Sequence, residues 1–360
     1  DEVVFVGSGT ESDNLAVLGA ARAYQRPKEI AGTGRGHLIT TKIEHHAVLR
    51  SMEALEKEGF EVTYLETDRF GLITFEQVAA ALRDDTILIS VMYANNEIGT
   101  IEPIAEIGKA VAEWKAKHNR KGIGGRASYP YLHTDACQAA GALSLNVQEL
   151  GVDLMTINGS KIYGPKGVGA LYVRKGAKLQ PIVYGGGQER GLRSGTENVA
   201  GIVGLAKALE LAQSERGIES ARLCGLRDRL IAGVLATIPK TFLNGAAVER
   251  LPNNAHITLL DIEGEALLLM LDQYGIAAAT GSACDSQTLE PSHVILACGM
   301  PYEAAHGSVR FTLGRGTTDA DVDEVLVRLP QIVDKLRRVS PVRVSIEDVM
   351  RVIEKNKSVV

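Results

Sequence analysis

Cysteine is scarce in this chain of 360 residues, and long apolar runs and an excess of one charge are missing. The four cysteines, Cys137, Cys224, Cys284 and Cys298, are scattered without paired spacing. That argues against a disulfide framework and predicts free thiols in a reducing cytosol. The most apolar stretch, Ala266 to Leu271, ends at Asp272, far short of the ~20 residues that cross a bilayer. A net charge of −5 gives no argument for direct nucleic-acid or membrane binding. There are no internal repeats and no low-complexity runs, and no secretory signal pattern is read at the start. The chain opens on Asp1-Glu2-Val3-Val4-Phe5-Val6, already a core-strand pattern. That abrupt start predicts a further N-terminal portion.

What is present is an alternation of short β-branched runs and amphipathic stretches. Strands are expected at Val3–Val6, His37–Thr41, Glu61–Leu65, Ile87–Met92, Tyr131–His133, Leu154–Ile157 and Val168–Val173. Helices are expected at Glu11–Tyr24, Ala47–Glu58, Phe75–Leu82 and Pro103–His118. The pattern predicts an α/β domain with a largely parallel sheet, where ligands gather at the carboxyl ends of the strands. A helical stretch, Glu197–Arg216, leads to further helices at Ser220–Thr237 and Glu263–Tyr274, and to strands at His256–Leu260 and Val309–Leu313. We therefore expect a large domain over 1–215 and a smaller α+β domain over 216–360. Lys115 to Arg126 reads as a solvated basic loop. Val342–Val360 is amphipathic, suited to packing or docking.

Several segments carry chemistry. Cys284 sits among small residues, Thr280-Gly281-Ser282-Ala283-Cys284-Asp285-Ser286, a setting for an accessible thiol. Gly7-Ser8-Gly9-Thr10-Glu11 follows a strand and opens a helix, where glycine lets a phosphate approach the first N–H groups; Thr10 could equally be only an N-cap. Lys161, in Asn158-Gly159-Ser160-Lys161-Ile162-Tyr163-Gly164-Pro165-Lys166-Gly167, lies just past an apolar strand. A partly desolvated lysine there can form a Schiff base, whereas a surface lysine does nothing. Asp135, in Thr134-Asp135-Ala136-Cys137-Gln138, could hold a pyridinium N–H or merely cap a turn. A metal site from Cys284, His293, Cys298 and His306 matches no standard zinc spacing, and no metal is expected.

With Glu44-His45-His46-Ala47-Val48-Leu49, Asn95-Asn96-Glu97-Ile98-Gly99, Gly185-Gly186-Gly187-Gln188-Glu189-Arg190-Gly191 and Arg193-Ser194-Gly195-Thr196 added in order, the chain resembles the cysteine desulfurases. Within them it is similar to the long-loop, NifS/IscS-like group of the class V aminotransferases. The resemblance covers essentially the whole chain. It implies the fold type I of pyridoxal 5′-phosphate (PLP) enzymes, a homodimer, L-cysteine as substrate, and a sulfur-acceptor protein serving iron–sulfur assembly or tRNA thiolation. Carried over by motif, Lys161 is the Schiff-base lysine and later proton shuttle, and Asp135 pairs with the pyridine nitrogen. Gln138 and Asn96 reach the phenolic oxygen, Asn96 also facing the substrate, and His45 stacks on the ring. Gly9, Thr10, Asn158 and Ser160 serve the phosphate, with Thr196 reaching it from a partner subunit. Arg310 clamps the substrate carboxylate, and Cys284 takes the sulfur as a persulfide.

Two departures stand out. Ser160 replaces the histidine usual before the Schiff-base lysine, removing an imidazole from the phosphate site. Asp285 follows Cys284, and a neighbouring carboxylate disfavours a thiolate. The competing readings are a selenocysteine lyase, another class V aminotransferase, or a catalytically weak binding member. Cys284 speaks against a plain aminotransferase, which needs no thiol.

Overall fold

A computed structural model describes residues 2–24, 35–120, 128–281 and 290–356. The chain divides into two compact units, one of Asp1–Leu65, Ile73–Ala94 and Glu102–Arg216, the other of Glu66–Leu72, Asn95–Ile101 and Gly217–Val360.

The first unit is built on seven strands: β1 (Val3–Val6), β2 (His37–Thr41), β3 (Glu61–Leu65), β4 (Thr86–Ser90), β5 (Tyr131–Asp135), β6 (Leu154–Asn158) and β7 (Gly169–Val173). Their order in the sheet is β1-β7-β6-β5-β4-β2-β3. Strands β3, β2, β4, β5 and β6 pair in parallel, while β7 and β1 close one side antiparallel. The largely parallel α/β sheet expected from the alternation is thus observed. Strands β2, β4 and β5 are buried at every position, as a sheet covered on both faces requires.

Five helices connect these strands: α1 (Gly9–Ala23), α2 (His46–Lys57), α3 (Phe75–Ala81), α4 (Ile104–Lys117) and α5 (Val147–Leu150). Leu15, Ala16 and Ala20 of α1 and Val48, Met52 and Leu55 of α2 pack with Leu38, Leu88, Leu154 and Leu171 of the strands. Ser8, not Thr10, caps α1, its hydroxyl accepting from Glu11 N at 3.2 Å. Thr10 lies inside the first turn, so its side chain is left for other contacts.

Lys115 corrects another expectation. It is the last-turn lysine of α4, largely buried, and pairs with Asp153 at 3.0 Å; Arg174 also pairs with Asp153, at 3.1 Å. An aspartate supplied by the neighbouring strand end turns a seemingly solvated charge inward. Residues 121–126 of that basic stretch lie outside the described residues.

Helix α6 (Val199–Thr237) is continuous over 39 residues, where the sequence suggests two helices. A side chain at the glycine between them, Gly217, would meet nothing within 4 Å, and a lone helical glycine costs only ~1 kcal/mol, too little to end the helix.

The second unit has a three-stranded antiparallel sheet, order β10-β9-β8, from β8 (Thr241–Leu243), β9 (Asn254–Leu259) and β10 (Ser308–Thr312). Around it lie α7 (Gly264–Asp272), α8 (His293–Ala297), α9 (Tyr302–Ala305), α10 (Asp319–Val339) and α11 (Ile346–Asn356). Its core joins Leu230 and Val234 of α6 to Ile257, Leu267, Val309 and Leu329. Among the described residues no helix is long and apolar enough to cross a membrane.

Candidate active site

The parallel strands deliver their side chains to one edge of the sheet. Asp135 is the last residue of β5 and Asn158 the last of β6. A single 3-10 turn, Gly159–Lys161, follows β6. His45 lies just past β2 at the start of α2. Because these strands run in parallel, their carboxyl ends share an edge, the usual ligand edge of such sheets.

Each residue is held by a local device. Asp135 Oδ1 accepts from Cys137 N at 2.9 Å, so the carboxylate is fixed by the turn it caps. Asn158 Oδ1 accepts from Ser160 N and from Ser160 Oγ, both at 3.3 Å. His45 is the N-cap of α2, its Nδ1 accepting from Ala47 N at 3.1 Å. A neutral ring in that arrangement carries its proton on Nε2. Burial lowers the His45 pKa and the charge of Asp135 raises it, while His46 and Lys161 lower it further. His45, Asp135 and Lys161 are therefore near enough to act on one another.

Gly9 explains the glycine of the first motif. A Cβ there would lie 2.8 Å from Cys137 Sγ and 3.3 Å from Asn158 Cβ. Close approach of α1 to the ends of β5 and β6 thus needs glycine, and it brings the helix N-terminus to the same edge. Lys161, Thr10, Ser160 and Thr196 are exposed and Gln138 is half-buried. The loop before Thr196 is tied to α1 by Arg193, which pairs with Glu11 at 2.8 Å, and Glu11 accepts in turn from Gly7 N at 2.9 Å.

Two buried acids near Asp135 escape the sequence reading. Asp13 of α1 is pushed well above the usual carboxyl range by burial and by the charge of Asp135. Glu44 accepts from Thr41 Oγ1 at 2.8 Å and Met92 N at 2.9 Å, yet burial pushes it up to about 8. Beside them, His133 is neutral, burial pushing its pKa down to about 3. It bonds Ser90 Oγ at 2.9 Å and Thr156 Oγ1 at 3.1 Å, and Thr156 bonds Ser12 Oγ at 2.9 Å. The signal for Asp13 was available: helical spacing puts it on the buried face with Ala16, Val17 and Ala20.

Asn96 and Arg310 lie together in the second unit. Arg310 Nη1 donates to the Asn96 carbonyl at 2.6 Å, and Arg310 Nε is buried with no hydrogen-bond partner among the described residues. Cys284 and Asp285 lie outside the described residues. Among the described residues, Cys137 and Cys224 are free thiols.

Residues 1–325 match the aminotransferase class-V family. The chain belongs to that family. "Cysteine desulfurase IscS" of Methanosarcina thermophila is 52% identical to this class-V member over 341 residues, 95% of this chain and 79% of that protein. Among solved structures, a "NifS-like protein" superposes with a TM-score of 0.81 at 34% identity, covering 93% of this chain and 83% of the other. "SspA in complex with cysteine" gives 0.68 at 33% identity, covering 87% and 81%. The class-V fold accounts for the mostly parallel sheet.

Proposed function

We propose that this chain is a PLP-dependent cysteine desulfurase that converts L-cysteine to L-alanine and receives the sulfur on Cys284. The observation that carries the reading is the sheet edge on which Asp135, His45, Lys161 and the Gly9 helix start occur together. The desulfurase relative, and a structural neighbour whose title names bound cysteine, support cysteine as the substrate.

The residues fit the cofactor. The glycine cradle at Gly9, which a Cβ would fill, and the first turn of α1 suit a phosphate, with Thr10 next in the chain, Asn158 packed on Gly9 and bonded to Ser160, and Thr196 supplied by a partner subunit. Asp135 suits a ring N–H, and Gln138 and Asn96 suit a phenolic oxygen. When bound, PLP supplies an aldehyde that condenses with amines and a ring that accepts electron density. Asp135 would keep a proton on the ring nitrogen. Lys161 would hold the aldehyde and serve as the base for the substrate α-proton. His45, its Nδ1 committed to Ala47, would offer Nε2 for proton exchange. Arg310, through its planar fork, holds the substrate carboxylate.

The Cys284 thiolate attacks the substrate sulfur. The C–S bond breaks, its electron pair and a proton stay with carbon as alanine, and sulfur remains on Cys284 as a persulfide. No external oxidant is needed, because sulfur is oxidised as carbon is reduced. The persulfide then passes to an acceptor protein of iron–sulfur assembly or tRNA thiolation. A homodimer is supported by exposed apolar side chains, Tyr163, Val199 and Val203, beside the packing of Gly164 and Pro165 on Ala208 and Gly204. Free cysteines support a cytosolic setting.

Incubation of the PLP-loaded protein with L-cysteine and a reductant tests the reading. Alanine and sulfide should appear in equal amounts, and neither should form with Cys284→Ala. Alanine formation undiminished in Cys284→Ala would overturn the assignment of the thiol, and no alanine from the unmodified protein would overturn the reaction.

A further inference from the structure

Glu97 is buried within the second unit, and no role has been given to it above. Its backbone is fixed on both sides: Glu97 N donates to Asn95 Oδ1 at 2.8 Å, and its carbonyl accepts from Asn254 Nδ2 at 2.8 Å. Its carboxylate accepts from Ser292 Oγ. The same Ser292 hydroxyl accepts from Val294 N at 3.1 Å and so caps α8. Gly281 packs on this pair, since a Cβ there would lie 2.7 Å from Glu97 Oε2 and 2.7 Å from Ser292 Cβ. Two residues earlier, Ala279 pairs with Arg310 through both backbone bonds, at 2.6 and 3.1 Å. Arg310 Nη1 meanwhile holds the carbonyl of Asn96, the neighbour of Glu97.

We propose that Glu97 is a positioning residue whose ionised carboxylate holds Arg310 oriented for a substrate carboxylate and anchors Gly281 and Ser292. The proposal rests on the desulfurase reading and deepens it, for it names what sets the carboxylate clamp. Arg310 Nη1 is committed to Asn96, while its Nε–H has no hydrogen-bond partner among the described residues. A guanidinium held at one nitrogen, with donors left over, suits a carboxylate ligand. Ionised Glu97 supplies the opposite charge that keeps it so, and protonated Glu97 does not.

Burial pushes the Glu97 carboxyl up to about 7, against the Ser292 hydroxyl and the charge of Arg310. Among the described residues Arg310 is the charged group acting on it. His256, opposite Arg310 on β9, is neutral, its pKa pushed down to about 3 by burial and by Arg310 and Arg250. Glu263, Glu265, Glu290 and His306 line a cavity of about 210 Å³ on the side of Gly281 and Ser292.

The test is the pH profile of kcat/KM for L-cysteine between pH 6 and 9, with the PLP-loaded full chain. Glu97→Gln keeps the shape and removes the charge. We expect kcat/KM to fall about tenfold at pH 8, as the charge that acts on Arg310 is lost, mainly through KM. The acidic limb near pH 7 should disappear with it. Ser292→Ala, which removes the hydroxyl that favours the ionised form, should move that limb to higher pH even if the rate falls. A Glu97→Gln limb that matches the unmodified protein's overturns the proposal, as does a Ser292→Ala limb that stays put. An unmodified protein that forms no alanine overturns the underlying reading and the proposal with it, a distinguishable result.

Discussion

The two units solve the burial of charge differently. In the first, the acids around Asp135 are neutralised: Asp13 and Glu44 are raised by burial, and His133 is neutral inside a chain of hydroxyls reaching Ser12. Asp135 itself is anchored by Cys137 N. In the second unit a cation is retained instead. Arg310 lies opposite a histidine, His256, whose two ring nitrogens have no hydrogen-bond partner among the described residues, with Glu97 as the counter-charge. A buried polar group without a partner costs about 1–3 kcal/mol, so the unit tolerates His256 at some expense in stability. Under the proposed function the contrast would divide the duties, the first unit holding a protonated ring and moving protons, the second holding an anion.

That division can be broken most sharply at Lys161. Lys161→Ala should reduce alanine formation by more than ~10³-fold, with the thermal midpoint unchanged because the side chain is exposed. A loss below tenfold would remove the first unit from the chemistry. Next, His45→Asn should lower kcat by ~10²-fold while preserving the cap on α2. His45→Ala should lose the same activity and a further ~1 kcal/mol of stability. Denaturant titration of both variants separates the two roles of this ring. In the second unit, Arg310→Lys keeps the charge and loses the fork. KM for cysteine should rise about tenfold with kcat within about twofold, and a change in kcat alone would contradict the assignment.

The smallest effect is on stability. Glu44 has its folded pKa raised to about 8 from an ordinary value of 4.5, so the folded state binds more protons between those values. Its contribution is present below pH 4.5 and is lost as pH rises through 8. Glu44→Gln should flatten that decline in thermal midpoint, and an unchanged slope would mean that Glu44 is ionised in the folded protein.

The parallel sheet was legible because β2 to β6 are β-branched and short, with helices of clear period between them. His45, Asp135 and Lys161 stood out in the sequence because each lies at or shortly after a strand end, where a polar residue is not needed for the core. The continuity of α6 was not, since a single glycine at 217 looks like a stop, but a side chain there would meet nothing within 4 Å. Lys115 misled for a related reason: its partner Asp153 is 38 residues away. Glu97 was quoted within its motif without a role, because the residues that explain it, Gly281, Ser292 and Arg310, come together only in the folded second unit.

The most direct test of the central claim is the intact mass of the protein after PLP and L-cysteine, with peptide mapping of Cys284. The account predicts a gain of one sulfur on Cys284, removable by reductant and absent in Lys161→Ala. An unmodified Cys284 alongside steady alanine formation, or sulfur found on Cys137, Cys224 or Cys298 instead, would contradict it.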